Sequence, residues 1–334
     1  GQVLLDNLQM KKDCSTLVLG LTGGASSIID ILPESIEINF VRALQKELLL
    51  SGAGIEEINS LRQEFSLLKN GGLLSLSSSR VFHTFIVSDI PTPNYLKVGS
   101  SPTFYSPTKT SYLKELANDY LKGELRSKVL KFIDSPMRTA VLSPKEKAQK
   151  DKESYYHLLC DYKKLMTKLE KKLGKPFFYR ENPLNDLIGE AIDIHIKEVL
   201  KFKGRNLLKS GFTFLTGGET PVKVLGKGIG GRNTEFVLRL SREFFGKNVL
   251  CLSEDDLKKL WIASFATDGT DGDTLSAGAW MDYDSYQEIS IKGLDVDLSL
   301  KNNDSHTFFK KLGNLIETGP RGINIMDLRI IQMG

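Results

Sequence analysis

The sequence is poor in cysteine and has no long apolar run. Its three cysteines, Cys14, Cys160 and Cys251, lie far apart, so they indicate neither a disulfide framework nor a metal-binding motif. No apolar stretch reaches the length that crosses a bilayer. Residues 1–16 are polar and lack the pattern of a signal peptide. We therefore expect a cytoplasmic protein with no membrane partner.

A strong net charge of either sign is also missing. The chain has 45 lysines and arginines against 41 acidic residues, a formal net charge of +4. Nucleic-acid-binding domains usually carry a basic stripe interleaved with aromatic residues. Here the lysines concentrate in 144–175, where acidic residues are mixed among them, as is typical of a solvated helical face. We expect a small-molecule substrate and no nucleic-acid partner, and the sequence leaves the oligomeric state open, a homodimer included.

The length and the order of the apolar segments predict an α/β fold with two domains. A chain of 334 residues, 40% of them hydrophobic, has enough apolar material for two cores. The continuous apolar runs Leu17–Leu21 and Val81–Val87 are typical of strands buried on both faces of a parallel sheet. Helices are predicted over residues 36–50, 55–69, 110–121, 155–173 and 184–203, with a helix end at Gly174 and short strands at 176–179 and 260–265.

Glycine is distributed unevenly along the second half of the chain. Beyond residue 205 it recurs in clusters between short strands, at 211–218, 226–231, 269–278 and 319–322. This change predicts a domain boundary between residues 204 and 205. The amino-terminal domain would then span 1–204 and the carboxy-terminal domain 205–334.

Two candidate sites follow the predicted strands of the first half. Gly23, Gly24, Ser26 and Ser27 come directly after the first strand, where a glycine-rich turn into a helix can direct backbone N–H groups at an anion. Asp89 ends the second strand and could orient a hydroxyl or accept its proton. The structural alternatives are a tight turn capped by serine and a carboxylate that braces the turn before a proline.

The second half contains a glycine-rich segment with two cations. A guanidinium beside helix-start amides is a strong site for an oxyanion or phosphate. A second signal is the acidic loop after the strand at 260–265, whose carboxylates could hold a hard divalent cation, although an acidic turn would have the same composition. The candidate binding residues are Gly217, Gly218, Glu219, Lys227, Gly230, Gly231, Arg232, Asn233 and Asn324, and the candidate metal residues are Asp268 and Asp271.

Taken together, these features favour phosphoryl transfer, which needs anion-binding loops, fixed cations and Mg²⁺. The chain has no Walker A motif and no catalytic loop of the protein-kinase type. One competing interpretation remains, because Gly226-x-Gly228-x-x-Gly231 also matches the dinucleotide fingerprint between a short strand and a helix. That interpretation predicts an NAD(P)-dependent hydroxypyruvate reductase.

The motifs resemble those of glycerate kinases that carry a C-terminal MOFRL domain. The segments that match are Gly217-Gly218-Glu219-Thr220, Gly226-Lys227-Gly228, Gly230-Gly231-Arg232-Asn233, Thr267-Asp268-Gly269-Thr270-Asp271-Gly272, Asn303-Asp304-Ser305 and Asp327-Leu328-Arg329. The first half matches more loosely, at Gly23-Gly24, Lys69, Ser88-Asp89 and Gly189-Glu190-Ala191.

This resemblance implies a fold, a reaction and a site. It implies an α/β/α sandwich with a mostly parallel sheet, followed by a second, mixed α/β domain, with the active site in the cleft between them. It implies ATP and Mg²⁺, glycerate as acceptor and 2-phosphoglycerate as the usual product. We expect Asp89 and Arg232 to be the catalytic residues, and Lys69 to join the binding residues.

Several departures from the family pattern bear on activity. Ala25 replaces a usual third glycine, Gln63-Glu64 replaces a Lys-His pair, and Leu275 replaces an acidic residue. Family members also begin with a longer segment that includes an active-site Gly-Lys pair. We expect residues 1–334 alone to be less active than a typical member. The alternative is an impaired member that binds a nucleotide or organic acid without turnover.

Overall fold

The computed structural model describes residues 1–10, 14–90, 95–173, 176–205 and 207–334, except for the side chains of residues 9, 10 and 27. Gly174, the predicted helix end, lies outside the described residues. The chain divides into two compact units, Gly1–Leu159 and Cys160–Gly334. No helix among the described residues is long and apolar enough to cross a membrane.

The first unit is built on a three-stranded sheet of order β1-β2-β3. Strands β1 and β2 are parallel, with Thr16 opposite Val81 and Leu21 opposite Ile86. Short 3-10 turns lie at Gln63–Phe65 and Tyr95–Ser100. The elements of this unit are α1 (Gln2–Met10), β1 (Thr16–Leu21), α2 (Ala25–Ile28), α3 (Ile38–Leu50), α4 (Ile55–Arg62), α5 (Gly72–Leu76), β2 (Val81–Val87), α6 (Thr110–Tyr120), α7 (Gly123–Ile133), α8 (Pro136–Asp151) and β3 (Glu153–Cys160).

One face of this sheet is covered and the other is open among the described residues. Phe82, Thr84 and Ile86 alternate along β2 and are buried, and Phe82 packs with residues of α5 and α8. On the other face Val18 of β1 is 67% exposed. The expectation that both strands are buried on two faces is therefore wrong. Their apolar runs pack fully on one side only.

The helix predicted over 155–173 is also wrong in its first part. Residues Glu153–Cys160 form strand β3, and a helix begins only at Tyr162. The apolar residues of 158–169 fit a helical period, but Tyr155, Tyr156 and His157 belong to residue types that favour strands. The structure also contains α7 and α8 where the sequence suggested only a polar stretch.

The second unit is built on a mixed six-stranded sheet of order β4-β5-β9-β6-β7-β8. Strands β4 and β5 are parallel, and the remaining neighbours are antiparallel. Its elements are α9 (Tyr162–Leu173), β4 (Phe177–Tyr179), α10 (Ile188–Gly204), α11 (Leu207–Ser210), β5 (Phe212–Gly217), α12 (Arg232–Ser241), α13 (Glu254–Leu257), β6 (Leu260–Ala266), β7 (Gly278–Asp282), α14 (Tyr283–Ile291), α15 (Val296–Lys301), α16 (Ser305–Leu312), β8 (Leu315–Ile316) and β9 (Asp327–Met333).

The division of the structure does not coincide with the boundary that glycine content predicts at 204/205. Strand β4 pairs with β5, and α10 contributes Ala191, Val199 and Phe202 to the core of the second unit. Residues 160–204 therefore pack with the carboxy-terminal sheet. The glycine clusters begin only after residue 205, because α9 and α10 occupy much of residues 160–204 and regular helices contain few glycine turns.

The two sheets account for the predicted fold class. The chain is an α/β protein with a parallel pair of strands in the first unit and a second, mixed sheet, as the sequence predicted. In the second sheet β9 lies between β5 and β6, so the last strand of the chain is central. This position brings the first residues of β9 beside the carboxyl ends of both neighbours.

Candidate active site

The parallel strands β1 and β2 place two predicted residues together in the first unit. Their carboxyl ends lie at the same edge of the sheet, and a Cβ atom on Gly23 would collide with the Asp89 carboxylate. Gly24, with φ of +81°, starts helix α2. Burial raises the pKa of Asp89, although hydrogen bonds from backbone groups of Asp89 and Gly24 oppose the rise. The glycine turn and the carboxylate thus lie side by side at this edge of the sheet, and their roles in binding and catalysis stay predictions.

The serines and Lys69 have other surroundings. Ser26 Oγ lies 2.7 Å from Ser100 Oγ, and the side chain of Ser27 lies outside the described residues. Lys69 is buried and its Nζ lies 2.6 Å from Asp30 Oδ2. Burial lowers the pKa of Lys69, and its hydrogen bond to Asp30 works in the opposite direction. This internal pairing favours a structural role for Lys69.

The second unit builds a site around Arg232, the first residue of α12. Its Nε donates to Asp327 Oδ2 at 2.5 Å and its Nη2 donates to Asp327 Oδ1 at 3.2 Å. Nη2 also lies 3.0 Å from Glu219 Oε1. Burial lowers the pKa of Arg232, but the hydrogen bond and charge of Asp327 outweigh it and raise the pKa. The guanidinium is therefore fixed and permanently charged.

The loop after β5 lies on the same network. Gly218 has φ of +118°, and a Cβ atom there would collide with the backbone of Leu184, so only glycine fits this turn. The backbone N–H of Glu219 donates to Asn185 Oδ1 at 3.2 Å. This turn places the Glu219 carboxylate within reach of Arg232.

Asp327 and Arg329 support the loop from the start of β9. Residues two apart on a strand share a face, and both side chains are only 1% exposed. Arg329 Nη2 donates to Gly218 O at 3.0 Å and to Thr220 Oγ1 at 2.9 Å. From the sequence, these two residues belong to a segment that resembles a family motif, but no role is predicted for either. The available signal was a pair of opposite charges in the otherwise mostly apolar strand Asp327–Met333.

The amino-terminal amides of α12 already have an acceptor. Asp271 Oδ1 accepts from Asn233 N at 2.9 Å, and Asp271 Oδ2 accepts from Thr234 N at 2.8 Å. Asn233 Nδ2 and Thr234 Oγ1 donate to the same two oxygens. Burial raises the pKa of Asp271, although these hydrogen bonds oppose the rise. The helix start is thus capped by the chain itself, which weakens its case as an anion site.

The glycine-rich segment before α12 packs closely on a neighbouring loop. Cβ atoms on Gly226 and Gly228 would collide with the backbone of Asn302 and with Asp304, and Gly230 and Gly231 are similarly crowded. These contacts explain the glycines structurally. Residues 218–231 contain no strand, so the strand that a dinucleotide fingerprint requires directly before Gly226 is missing and that part of the expectation is wrong.

Two further predicted residues, Lys227 and Asn324, make no contact with Arg232 among the described residues. Lys227 is anchored by its backbone N–H, which donates to Asn302 Oδ1 at 3.1 Å. Asn324 Oδ1 accepts from Met326 N at 2.8 Å. Each contact shapes the local backbone, and the roles of both side chains in ligand binding stay predictions.

Comparison with known proteins gives two family models and several similar enzymes. The MOFRL family model matches residues 212–327, and a second family model, described as a domain of unknown function (DUF4147), matches residues 2–134. The D-glycerate 2-kinase of Thermotoga maritima is 29% identical over 333 residues, covering 98% of this chain and 74% of that protein. The glycerate 2-kinase of Pyrococcus horikoshii is 28% identical, with 98% and 72% covered.

The solved structures give the same result. The crystal structure of glycerate kinase from Thermotoga maritima superposes with a TM-score of 0.76 at 26% identity, covering all of this chain and 77% of that one. The chain thus combines a carboxy-terminal MOFRL domain with similarity to glycerate kinases over nearly its whole length. One relative from Agrobacterium vitis, 28% identical over 331 residues, carries a provisional hydroxypyruvate reductase name.

One departure from the glycerate kinase pattern has a local explanation. Glu64, in place of the usual histidine, is buried and accepts a hydrogen bond from Arg138 Nε at 2.7 Å. Burial raises the pKa of Glu64, and the Arg138 hydrogen bond and charge lower it in part. The buried ion pair shows that this position serves packing in the first unit.

The candidate metal residues do not fit a Mg²⁺ centre. Among the described residues, no group of three or more histidine, cysteine or acidic side chains is arranged to hold a metal ion. Both oxygens of Asp271 are taken by the helix cap. Asp268 Oδ1 accepts from the backbone N–H of Thr270 at 3.0 Å. We therefore derive no catalytic step through Mg²⁺ held by these carboxylates.

Proposed function

We propose that this chain transfers a phosphoryl group from ATP to glycerate or a closely related small hydroxy acid. The observation that carries the proposal is the anchored Arg232 beside the Gly217–Gly218 turn, in a chain whose relatives are named glycerate kinases. Phosphoryl transfer depends mainly on placement and on neutralising the charge of the moving group. A fixed guanidinium next to a glycine turn suits that requirement.

In the proposed reaction Asp89 acts on the acceptor. Its carboxylate accepts a hydrogen bond from the acceptor hydroxyl, orients the oxygen toward the γ-phosphorus and takes up the proton as the new P–O bond forms. The raised pKa of Asp89 supports this role, because a carboxyl that is partly desolvated binds a proton more readily than one in water. The bond between the γ-phosphorus and the bridging oxygen of ATP breaks and ADP leaves.

Arg232 acts on the phosphoryl group. Its Nε and Nη2 both donate to Asp327, so the guanidinium plane is fixed before the substrate arrives. Among the described contacts its Nη1 has no acceptor, so this nitrogen can donate to an equatorial oxygen of the transferring group. A preorganised cation of this kind can contribute on the order of 10³-fold or more to the rate of phosphoryl transfer.

We place this reaction in the cytoplasm, because Cys14, Cys160 and Cys251 are all free thiols, as a reducing compartment requires. We further expect Mg²⁺ to enter with the phosphates of ATP. The Mg²⁺ requirement is thus assigned to the nucleotide, since both oxygens of Asp271 are engaged in the cap of α12.

The test is a product assay on protein expressed from the complete reading frame. ATP is mixed with glycerate and with a panel of small hydroxy acids, and ADP release is measured beside phosphorylated product. We expect stoichiometric ADP and phosphoester with glycerate among the best acceptors. Reduction of hydroxypyruvate with NADH, without any ATP-dependent product, would replace the proposal with the reductase function.

A further inference from the structure

Four charged residues of alternating sign form a chain from the core of the second unit to its surface. Arg329 lies 4.0 Å from Asp327, Asp327 binds Arg232 through two hydrogen bonds, and Arg232 lies 3.0 Å from Glu219. Exposure increases along the chain, from 1% for the Arg329 and Asp327 side chains to 35% for Arg232 and 47% for Glu219. Arg232 thus has one buried and one exposed carboxylate partner.

The buried partner is held rigidly. Met326, directly before Asp327, has φ of +96°, a strained conformation for a residue other than glycine. Thr267 Oγ1 donates to Met326 O at 2.9 Å, and Met326 N donates to Asn324 Oδ1 at 2.8 Å. These bonds keep the strained residue in place. Backbone strain of this kind persists where the surroundings over-determine it, and here it fixes where Asp327 points.

The exposed partner is held much less. Among the described contacts, the Glu219 carboxylate has Arg232 as its only ion-pair partner, and nearly half of this side chain is open to solvent. Glu219 Oε1 contacts Arg232 Nη2, the nitrogen that an oxygen of an anionic ligand would also bind. An exposed ion pair of this kind contributes little to stability, so an incoming phosphate can replace it.

We propose that the two carboxylates have opposite roles: Asp327 is the positioning residue that fixes Arg232, and Glu219 is an exchangeable counter-ion that the phosphates of the nucleotide displace. Arg329 completes the support by binding Gly218 O and Thr220 Oγ1 on the loop that carries Glu219. This inference rests on the proposed function, because it names how that site receives its phosphate donor.

The experiment compares two variants that each remove one negative charge beside Arg232. Dissociation constants for ATP and for inorganic tripolyphosphate are measured by calorimetry on the wild type, Glu219→Gln and Asp327→Asn. We expect Glu219→Gln to bind both anions about two- to fivefold more tightly, the effect of losing one exposed ion pair. We expect Asp327→Asn to bind them at least about tenfold more weakly, because Arg232 loses its two-point anchor. Glu254→Gln, a carboxylate paired with surface Lys258, is the matched control and should bind as the wild type does.

A purely electrostatic effect would move both variants in the same direction. Tighter binding by Asp327→Asn would therefore overturn the positioning role, and unchanged binding by Glu219→Gln would overturn the counter-ion role. Thermal melting reports whether each variant folds. If Asp327→Asn does not fold, Arg232→Lys tests the same point, since lysine cannot reproduce a two-point contact. Wild-type affinity in Arg232→Lys would refute the inference.

The outcome is separable from that of the proposed function. Suppose that the wild type and the two variants bind ATP with the expected order of affinities, but the wild type phosphorylates no hydroxy acid. The proposed function then fails and this inference stands. If glycerate is phosphorylated while the order of affinities is not observed, only this inference fails. Absence of ATP and tripolyphosphate binding in the wild type would overturn both.

Discussion

At the scale of single residues, Asp89 carries a cost that its proposed role explains. Its carboxyl is partly buried beside Gly23, and burial raises its pKa above that of a carboxyl in water. A raised pKa in the folded state means that the native protein binds this proton more tightly than the unfolded chain does. The free energy of unfolding therefore falls as the pH rises from the ordinary carboxyl pKa through the raised pKa of Asp89. Above the raised pKa the full cost of burying the charged carboxylate is present.

The substitution Asp89→Asn should separate activity from stability. We expect kcat to fall by about 100-fold or more, because a general base is lost. The free energy of unfolding should rise at neutral pH, since the desolvated charge is gone, and should match the wild type at pH values below the ordinary carboxyl pKa. Steady-state kinetics and chemical denaturation at two pH values check both effects.

Asp6→Asn is a suitable control, because Asp6 is exposed and its Oδ1 accepts a hydrogen bond from the neighbouring Gln2 at 2.9 Å. Asp6→Asn should change neither kcat nor the free energy of unfolding. Full activity in Asp89→Asn would remove Asp89 from the mechanism. In the wild type, activity should also decline as the pH falls through the raised pKa, where Asp89 becomes protonated and can no longer accept the hydroxyl proton.

From the sequence, Arg232 can be named as a candidate catalytic residue, but the carboxylates that bind it cannot be named. A guanidinium after a cluster of glycines is a local signal. Asp327, which fixes the guanidinium, lies 95 residues away in the sequence and reaches it only because β9 inserts between β5 and β6. The same reason explains why Asp271 looked like a metal ligand: the Asn233 amide from which it accepts lies 38 residues earlier in the sequence.

At the scale of elements, the start of helix α12 depends on Asp271. Replacing it by asparagine keeps one oxygen but directs an NH₂ group at the backbone donors of Asn233 or Thr234. We expect Asp271→Asn to lower the free energy of unfolding by about 1–3 kcal/mol, the cost of leaving a buried donor unpaired. The Mg²⁺ dependence of ATP turnover should stay unchanged, as measured by titration at fixed ATP.

Asp273→Asn is the control for this prediction, because Asp273 lies in the same loop and is exposed. It should leave stability within about 0.5 kcal/mol of the wild type. A clear shift in the Mg²⁺ requirement of Asp271→Asn, without loss of stability, would restore the metal role that the acidic loop predicts.

Strand β9 is the element on which the second sheet depends. Ile331 is fully buried in the central strand, whereas the next residue, Gln332, is exposed. We expect Ile331→Ala to lower the free energy of unfolding by about 2–5 kcal/mol through lost burial and a cavity. Gln332→Ala should change it by less than about 0.5 kcal/mol. Equal effects of the two substitutions, measured by denaturant unfolding, would contradict the central position of β9.

Elements were predicted well where one local pattern dominates and poorly where two compete. Strand β2 was placed at the observed bounds Val81–Val87 because its apolar run is continuous and ends in a turn. Strand β3 was missed because apolar residues beyond Leu158 continue at helical spacing into α9. A period that runs across a boundary cannot report where one element ends, and only pairing in the sheet order β1-β2-β3 decides it.

At the scale of the whole molecule, each unit contributes one part of the proposed chemistry. The first unit supplies the Gly23–Asp89 cluster at the end of a parallel pair of strands, and the second supplies Arg232 on its carboxylate partners. The family could be recognised from sequence because its motifs fall in turns whose glycines are fixed by close packing, as at Gly218 and Gly226. The boundary between the units could not, because α9 and α10 share the composition of ordinary helices.

The most direct test of the proposed function is phosphorus NMR of protein from the complete reading frame, mixed with ATP, Mg²⁺ and glycerate. We predict that the γ-phosphate signal is replaced by ADP and by a phosphomonoester signal coupled to the C2 proton of glycerate, in equal amounts. The same mixture with Arg232→Ala should form this product far more slowly. Release of inorganic phosphate in place of a phosphoester, or unchanged ATP beside glycerate, would contradict the assignment of this chain as a glycerate kinase.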